Sequence, residues 1–287
     1  MLQLDILFKE YIHYLEIEKT QSENTIISIN SDLKQLKKFL LEYRDIEKLD
    51  DVDYIILRNF LNYIGKTHVT KRTIRRKIST LRGFFTYLYE QRKIKKNISL
   101  LIEFPTFKIN EPKIIGLSDI NKLRGVINEE KIIELRDKLL LELLYSTGIK
   151  VKEALSLGEG VINLEKREIR VIEVKSDRIV YFSNRSMELL KKYIELKKHY
   201  YKEKYNSDIL FINNKGERLN TGILRKNFIQ YKERAKINQE VNPIMFRHTF
   251  AVHMLKNGMS LEYVKELMGH SALGITKKYL DILKKMG

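Results

Sequence analysis

Apolar residues recur at three- and four-residue spacing along most of the chain, the period that lays one stripe of a helix against a core. The spacing predicts helices over residues 4–18, 22–43, 53–64 and 70–91, the second opening on Ser22 as a cap. It resumes over 118–126, 131–146 and 151–157, and Gly148 suits a left-handed terminus for the second of these. One stretch changes period: EIRVIEVKSDRIVYF, residues 168–182, alternates around a polar turn at Lys175, Ser176 and Asp177, which predicts a hairpin. Helical spacing returns over 185–204, 224–235, 247–257, 261–267 and 276–284, with 209–212 as a short extended piece.

The pattern lapses in EFPTFKINEPKIIGLS, where Pro105 and Pro112 break helical periodicity on both sides. The expected organisation is a helical bundle over residues 1–104, a linker over 105–115 and a second domain over 116–287, mostly helical with a small β-sheet. The fold class is therefore mainly α, with a minor β element.

The 287 residues carry 54 Lys+Arg against 37 Asp+Glu, a formal net charge of +17, which suggests a polyanionic partner such as nucleic acid. Within 70–91, Ile74, Ile78, Leu81, Phe85 and Leu88 form one stripe, while Lys71, Arg72, Arg75, Arg76 and Arg82 fall largely on another. Cations spaced along a helix face match a duplex backbone and gain affinity by releasing its counterions. A solvated helix face explains the same spacing equally well.

Several classes drop out. With no cysteine, disulfides, thiol nucleophiles, iron-sulfur clusters and Cys-rich zinc sites are impossible. No apolar run approaches the roughly 18 residues of a membrane span, and the N-terminus does not read as a signal peptide, so a cytoplasmic protein is expected. Gly65, Lys66 and Thr67 look like the end of a phosphate loop, but Phe60 stands where its first glycine would be. Six scattered histidines lack metal-ligand spacing, and neither metal nor cofactor is expected.

The C-terminal segment carries the chemistry. NPIMFRHTFAVHMLKNG, residues 242–258, is followed by LMGHS at 267–271 and then by Tyr279. In order and spacing these residues strongly resemble the tyrosine recombinase (phage integrase) family, particularly its Xer-type members. SENTIISINSDLKQLKKFL and residues 73–90 resemble that family's core-binding, SAM-like domain, and LLYSTGIKVKEALSL resembles the opening motif of its catalytic domain. The resemblance covers nearly the full chain.

The resemblance implies cleavage and rejoining of DNA strands without metal or ATP, through a bond between a tyrosine oxygen and a 3′ phosphate. Tyr279 matches the nucleophile, Arg247 the family's second arginine, and His270 a hydrogen-bond donor to the phosphate. A phenol with a pKa near ~10 is a weak nucleophile until cationic neighbours favour its phenolate. A guanidinium fork holds two phosphate oxygens while staying charged. Two positions depart from the pattern. Lys150 stands where the family has its first arginine and lacks the fork, and Ile244 stands where it has a histidine, three residues before Arg247. For the hairpin lysine that protonates the leaving 5′ oxygen, Lys175 is preferred over the register that offers Glu173.

The resemblance further implies a C-shaped clamp on double-stranded DNA, a tetramer on paired sites, a possible second recombinase as partner, and association with the nucleoid. Only eight residues follow Tyr279, shorter than the terminal helix Xer-type relatives exchange between subunits. Two alternatives stay open: a non-cleaving DNA-binding protein with a degenerate site, and a type IB topoisomerase-like relaxer.

Overall fold

The computed structural model describes residues 3–107, 111–172 and 177–286. The chain divides into two units, Met1–Ile109 and Asn110–Gly287. In the first, helices α1 (Leu4–Ile17), α2 (Glu23–Arg44), α3 (Tyr54–Gly65) and α4 (Lys71–Glu90) form a bundle. Three of them begin where a short polar side chain accepts from an otherwise unpaired backbone N–H. Ser22 Oγ accepts from Thr25 N at 3.4 Å, Asp53 Oδ1 from Ile56 N at 2.8 Å and Thr70 Oγ1 from Thr73 N at 3.2 Å. Such caps contribute about 1 kcal/mol each, and they set where each apolar stripe starts.

Those stripes meet in a core around Leu33, Leu57, Phe60, Phe84 and Leu88. Beside it lies a buried carboxylate. Asp32 of α2, 4% exposed, accepts from Lys77 Nζ at 2.6 Å, from Thr80 Oγ1 at 3.0 Å and from the Arg76 guanidinium, all on α4. A buried carboxylate persists only when paired and hydrogen-bonded, so this cluster fixes the face α4 turns toward α2.

The second unit runs α5 (Leu117–Val126), α6 (Ile132–Thr147), α7 (Val151–Ser156), β1 (Ile162–Asn163), β2 (Glu168–Val171), β3 (Arg178–Tyr181), α8 (Asn184–Tyr201), α9 (Thr221–Arg234), α10 (Pro243–Lys256), α11 (Leu261–Met268) and α12 (Leu273–Met286). The sheet is antiparallel in the order β1-β2-β3, with Glu168 opposite Tyr181 and Val171 opposite Arg178. Helix α6 packs against α8 and α10 and is buried from Leu135 to Leu144. Its Asp137 accepts from Arg136 at 2.8 Å, Asn227 at 2.7 Å and Tyr231 at 2.8 Å, which satisfies the charge inside the core.

At the end of α6 the chain turns through Gly148 at φ +65°, where a Cβ would lie 2.2 Å from the Phe250 ring. Only glycine meets both demands. The turn leads directly to Lys150 at the start of α7.

The mainly α architecture with a small sheet agrees with the apolar spacing; several boundaries do not. Helix α10 begins at Pro243, not at Arg247, because proline at the first helical position needs no partner for the N–H it lacks. Helix α9 begins at Thr221 under an Asn220 cap, three residues before the expected start. The extended piece at 209–212 reduces to a bridge between Ile212 and Arg218, and β1 is too short to register as an alternation. Glu173 and Lys175, with the hairpin turn expected around them, lie outside the described residues except for Asp177.

Candidate active site

The early start of α10 decides what its second turn presents. Arg247 is 5% exposed, and its guanidinium donates from Nη1 to Gly148 O at 2.5 Å and from Nη2 to Met268 O at 2.6 Å. One side chain thus ties together the end of α6, the end of α11 and the body of α10. Carbonyl acceptors orient a guanidinium without cancelling its charge.

The next residue, His248, holds Tyr279. Its Nδ1 lies 2.8 Å from the phenol oxygen, with ring centroids 5.6 Å apart. Tyr279 itself lies on α12 and is 3% exposed. On the other side the His270 ring stacks on Tyr279 at 6.2 Å and 13° between planes, and its Nδ1 lies 2.8 Å from Thr276 Oγ1. His270 follows Gly269, which ends α11 at φ +62°. A Cβ at Gly269 would come within 2.7 Å of Arg178 Nη1, so the glycine admits both the backbone turn and the arginine.

Lys150 precedes α7, with its side chain 43% exposed and its Nζ 2.8 Å from Glu153 Oε1. Glu153 also pairs with Arg178 at 2.6 Å, and Arg178 Nε donates to Leu267 O at 2.8 Å. This bridge joins β3 to α7 and α11. Ile244 lies one turn before His248 on α10 and is 49% exposed.

The electrostatics follow from burial among cations. Burial, followed by the nearby Arg247, pushes His248 down to about 4. His270 is also pushed down to about 4, first by burial and then by Arg247 and Lys150. Both imidazoles are therefore neutral at neutral pH, each with one donor and one acceptor nitrogen. Burial holds the Tyr279 phenol above its ordinary range, with Arg247 pulling the other way.

Of the residues singled out from the sequence, Tyr279, Arg247 and His270 come together, with Lys150 beside them. Lys175 lies outside the described residues. Sequence reasoning passed over His248, Arg178 and Glu153. His248 had a legible signal, since it is four residues from Ile244 and so shares its helix face.

The five α4 cations separate into two groups. Lys71, Arg72 and Arg75 are exposed; Lys71 Nζ reaches Thr106 O at 3.4 Å, and Arg75 lies 4.7 Å from the Phe104 ring centroid. Arg76 is instead paired with Asp32, and Arg82 donates to Ile102 O at 2.6 Å while stacking on Phe104 at 4.2 Å. The guanidinium groups of these two are engaged within the fold.

Residues 115–286 match the Phage integrase family, and residues 8–92 match the Phage integrase N-terminal SAM-like domain. The chain belongs to the tyrosine recombinase (phage integrase) family, whose activity is site-specific recombination by cleavage and rejoining of DNA strands. It is 31% identical to tyrosine recombinase XerD of Staphylococcus saprophyticus over 98% of this chain and 95% of that one. It is also 31% identical to tyrosine recombinase XerC of Leptospira interrogans, over 96% and 89% of the two chains. Among solved structures, the XerH site-specific recombinase bound to its difH substrate superposes with a TM-score of 0.71, 24% identity and coverage of 89% and 76%. The Tn1549 transposon integrase in complex with transposon right end DNA gives 0.77 at 15% identity, over 97% and 94%. No helix among the described residues is long and apolar enough to cross a membrane.

Proposed function

We propose that Tyr279 is the nucleophile of this recombinase, and that Arg247, His270 and Lys150 hold the non-bridging oxygens of the scissile phosphate while the phenol oxygen attacks phosphorus. The product is a 3′-phosphotyrosyl bond and a free 5′ end, which the reverse attack rejoins. The observation that carries this reading is the gathering of one buried phenol with two imidazoles and a guanidinium from three separate segments. With the Thr276 hydroxyl donating to Nδ1, His270 keeps its proton on Nε2 and can donate it to a phosphate oxygen. Arg247, already oriented, stabilises charge that grows in the transition state without reorganising.

The substrate is double-stranded DNA, gripped through its backbone by Lys71, Arg72 and Arg75 in the N-terminal unit. Assembly as a tetramer on paired sites, with a second recombinase at one of them, and residence on the nucleoid extend the same reading. The test is to incubate the protein with fragmented genomic DNA, denature it, and sequence whatever stays covalently attached. The expected result is an adduct on a defined site that disappears in Tyr279→Phe while DNA binding is kept. Binding with no adduct from the unaltered chain would favour a non-cleaving DNA-binding protein, and relaxation of supercoiled plasmid without a defined site would favour a topoisomerase-like relaxer.

A further inference from the structure

Helix α10 offers two side chains one turn apart on a single face, Ile244 and His248. The first can neither donate nor accept a proton and is half exposed. The second points its Nδ1 at the reacting oxygen of Tyr279 at 2.8 Å. We propose that His248 is the proton acceptor for Tyr279, doing from the next turn of the helix what the side chain of Ile244 cannot. This inference rests on Tyr279 being the nucleophile.

The phenol O–H donates to Nδ1, so the imidazole carries its own proton on Nε2. The groups facing His248 are Tyr279 from α12, Arg247 on its own helix, and His270 from the segment after α11. Burial and Arg247 keep the ring unprotonated at neutral pH, which leaves the Nδ1 lone pair available. So weak a base cannot remove a phenol proton in advance of reaction. It can do so as the bond to phosphorus forms, because the tyrosine oxygen loses its basicity when it becomes an ester oxygen and the phosphorane charge beside it favours the imidazolium.

The balance is then complete. The Oη–P bond forms and the phenol proton passes to Nδ1. The P–O5′ bond breaks with its electron pair on the 5′ oxygen, which takes a proton from water here because the hairpin lysine expected from the sequence, Lys175, lies outside the described residues. On rejoining, the 5′ hydroxyl gives its proton back to the hydroxide left by that water and attacks phosphorus, the bond to Tyr279 breaks, and the imidazolium returns its proton to the departing phenolate.

The test is single-turnover adduct formation with two versions of the captured site, one with the natural 5′ oxygen and one with a 5′-bridging sulfur, which leaves without being protonated. His248→Asn keeps an acceptor near the position of Nδ1 but not a base; His248→Phe removes both. Both variants are expected to bind DNA as the unaltered chain does and to form adduct on the order of 100-fold more slowly on either substrate. Recovery of His248→Asn to the unaltered rate would overturn the proposal by showing that the hydrogen bond only positions the phenol. Recovery on the sulfur substrate alone would move the group to the leaving-oxygen side and overturn it too, as would a faster variant, which would make the contact a restraint. Absence of adduct from the unaltered chain overturns the functional reading and this inference together, whereas an adduct with unaffected variants overturns this inference alone.

Discussion

The guanidinium groups of Arg76 and Arg247 are both pinned by the protein, but the acceptors differ in kind. Arg76 is paired with a carboxylate, the buried Asp32, that also holds Lys77 and Thr80. Arg247 is held by the carbonyl oxygens of Gly148 and Met268, at 2.5 and 2.6 Å. A carboxylate acceptor offsets part of the charge it orients, whereas a carbonyl acceptor fixes the fork through a neutral group. The two arginines look alike as basic residues on helices in a chain of net charge +17, and the acceptors named here, one charged and two neutral, are what their local sequences do not show.

Removing Arg247 has the largest expected effect. Arg247→Ala should lower the rate of adduct formation by on the order of 100- to 1,000-fold, the usual loss when a preorganised donor leaves a site of developing charge. Affinity for the same DNA, measured in a gel-shift titration, should change only a few-fold, because exposed cations elsewhere still neutralise phosphates. Equal losses in rate and affinity would make Arg247 a binding residue no different from those on α4.

Asp32→Ala strands Lys77, whose side chain is 9% exposed, without its carboxylate partner. Breaking a buried pair from one side costs about 3–5 kcal/mol, so the denaturant midpoint of the N-terminal unit should fall steeply. Arg76→Ala should cost about 1 kcal/mol or less, since that side chain is 44% exposed and Lys77 still satisfies Asp32. Similar losses in the two variants would show that Arg76, not Lys77, carries the pairing.

How much of this was legible before the fold follows from the same physics. Ser22 sits at a helix start and Gly148 at a helix end because capping is local chemistry, written in adjacent residues. The order of Arg247, His270 and Tyr279 was legible because it survives as a spacing pattern. The partner of Arg76 was not, since Asp32 lies 44 residues earlier and nothing local couples them. His248 was hidden by a boundary. With α10 starting at Arg247, its neighbour belongs to a fraying first turn; with the start at Pro243, it belongs to a buried second turn facing α12. Placing Arg178 beside Gly269 required the register of β3 and the end of α11 together, which no single stretch of sequence contains.

The smallest effect separates the α4 cations from one another. If Lys71, Arg72 and Arg75 meet phosphates, replacing any one by alanine should weaken binding about uniformly across DNA sequences. It should also reduce the slope of log affinity against log salt by about 0.9, the contribution of one neutralised phosphate on duplex DNA. Arg82→Ala should leave the slope unchanged, because that guanidinium is occupied by Ile102 O and the face of Phe104. Arg75 also lies over Phe104, but it is exposed, so stacking there orients the group toward solvent without consuming its hydrogen-bond donors. The slope rather than the affinity is the decisive readout, since loss of packing can lower affinity at every salt concentration while only a lost phosphate contact alters counterion release. An unchanged slope in Arg75→Ala together with a reduced one in Arg82→Ala would invert the assignment, placing the DNA on the side of α4 that faces residues 98–102.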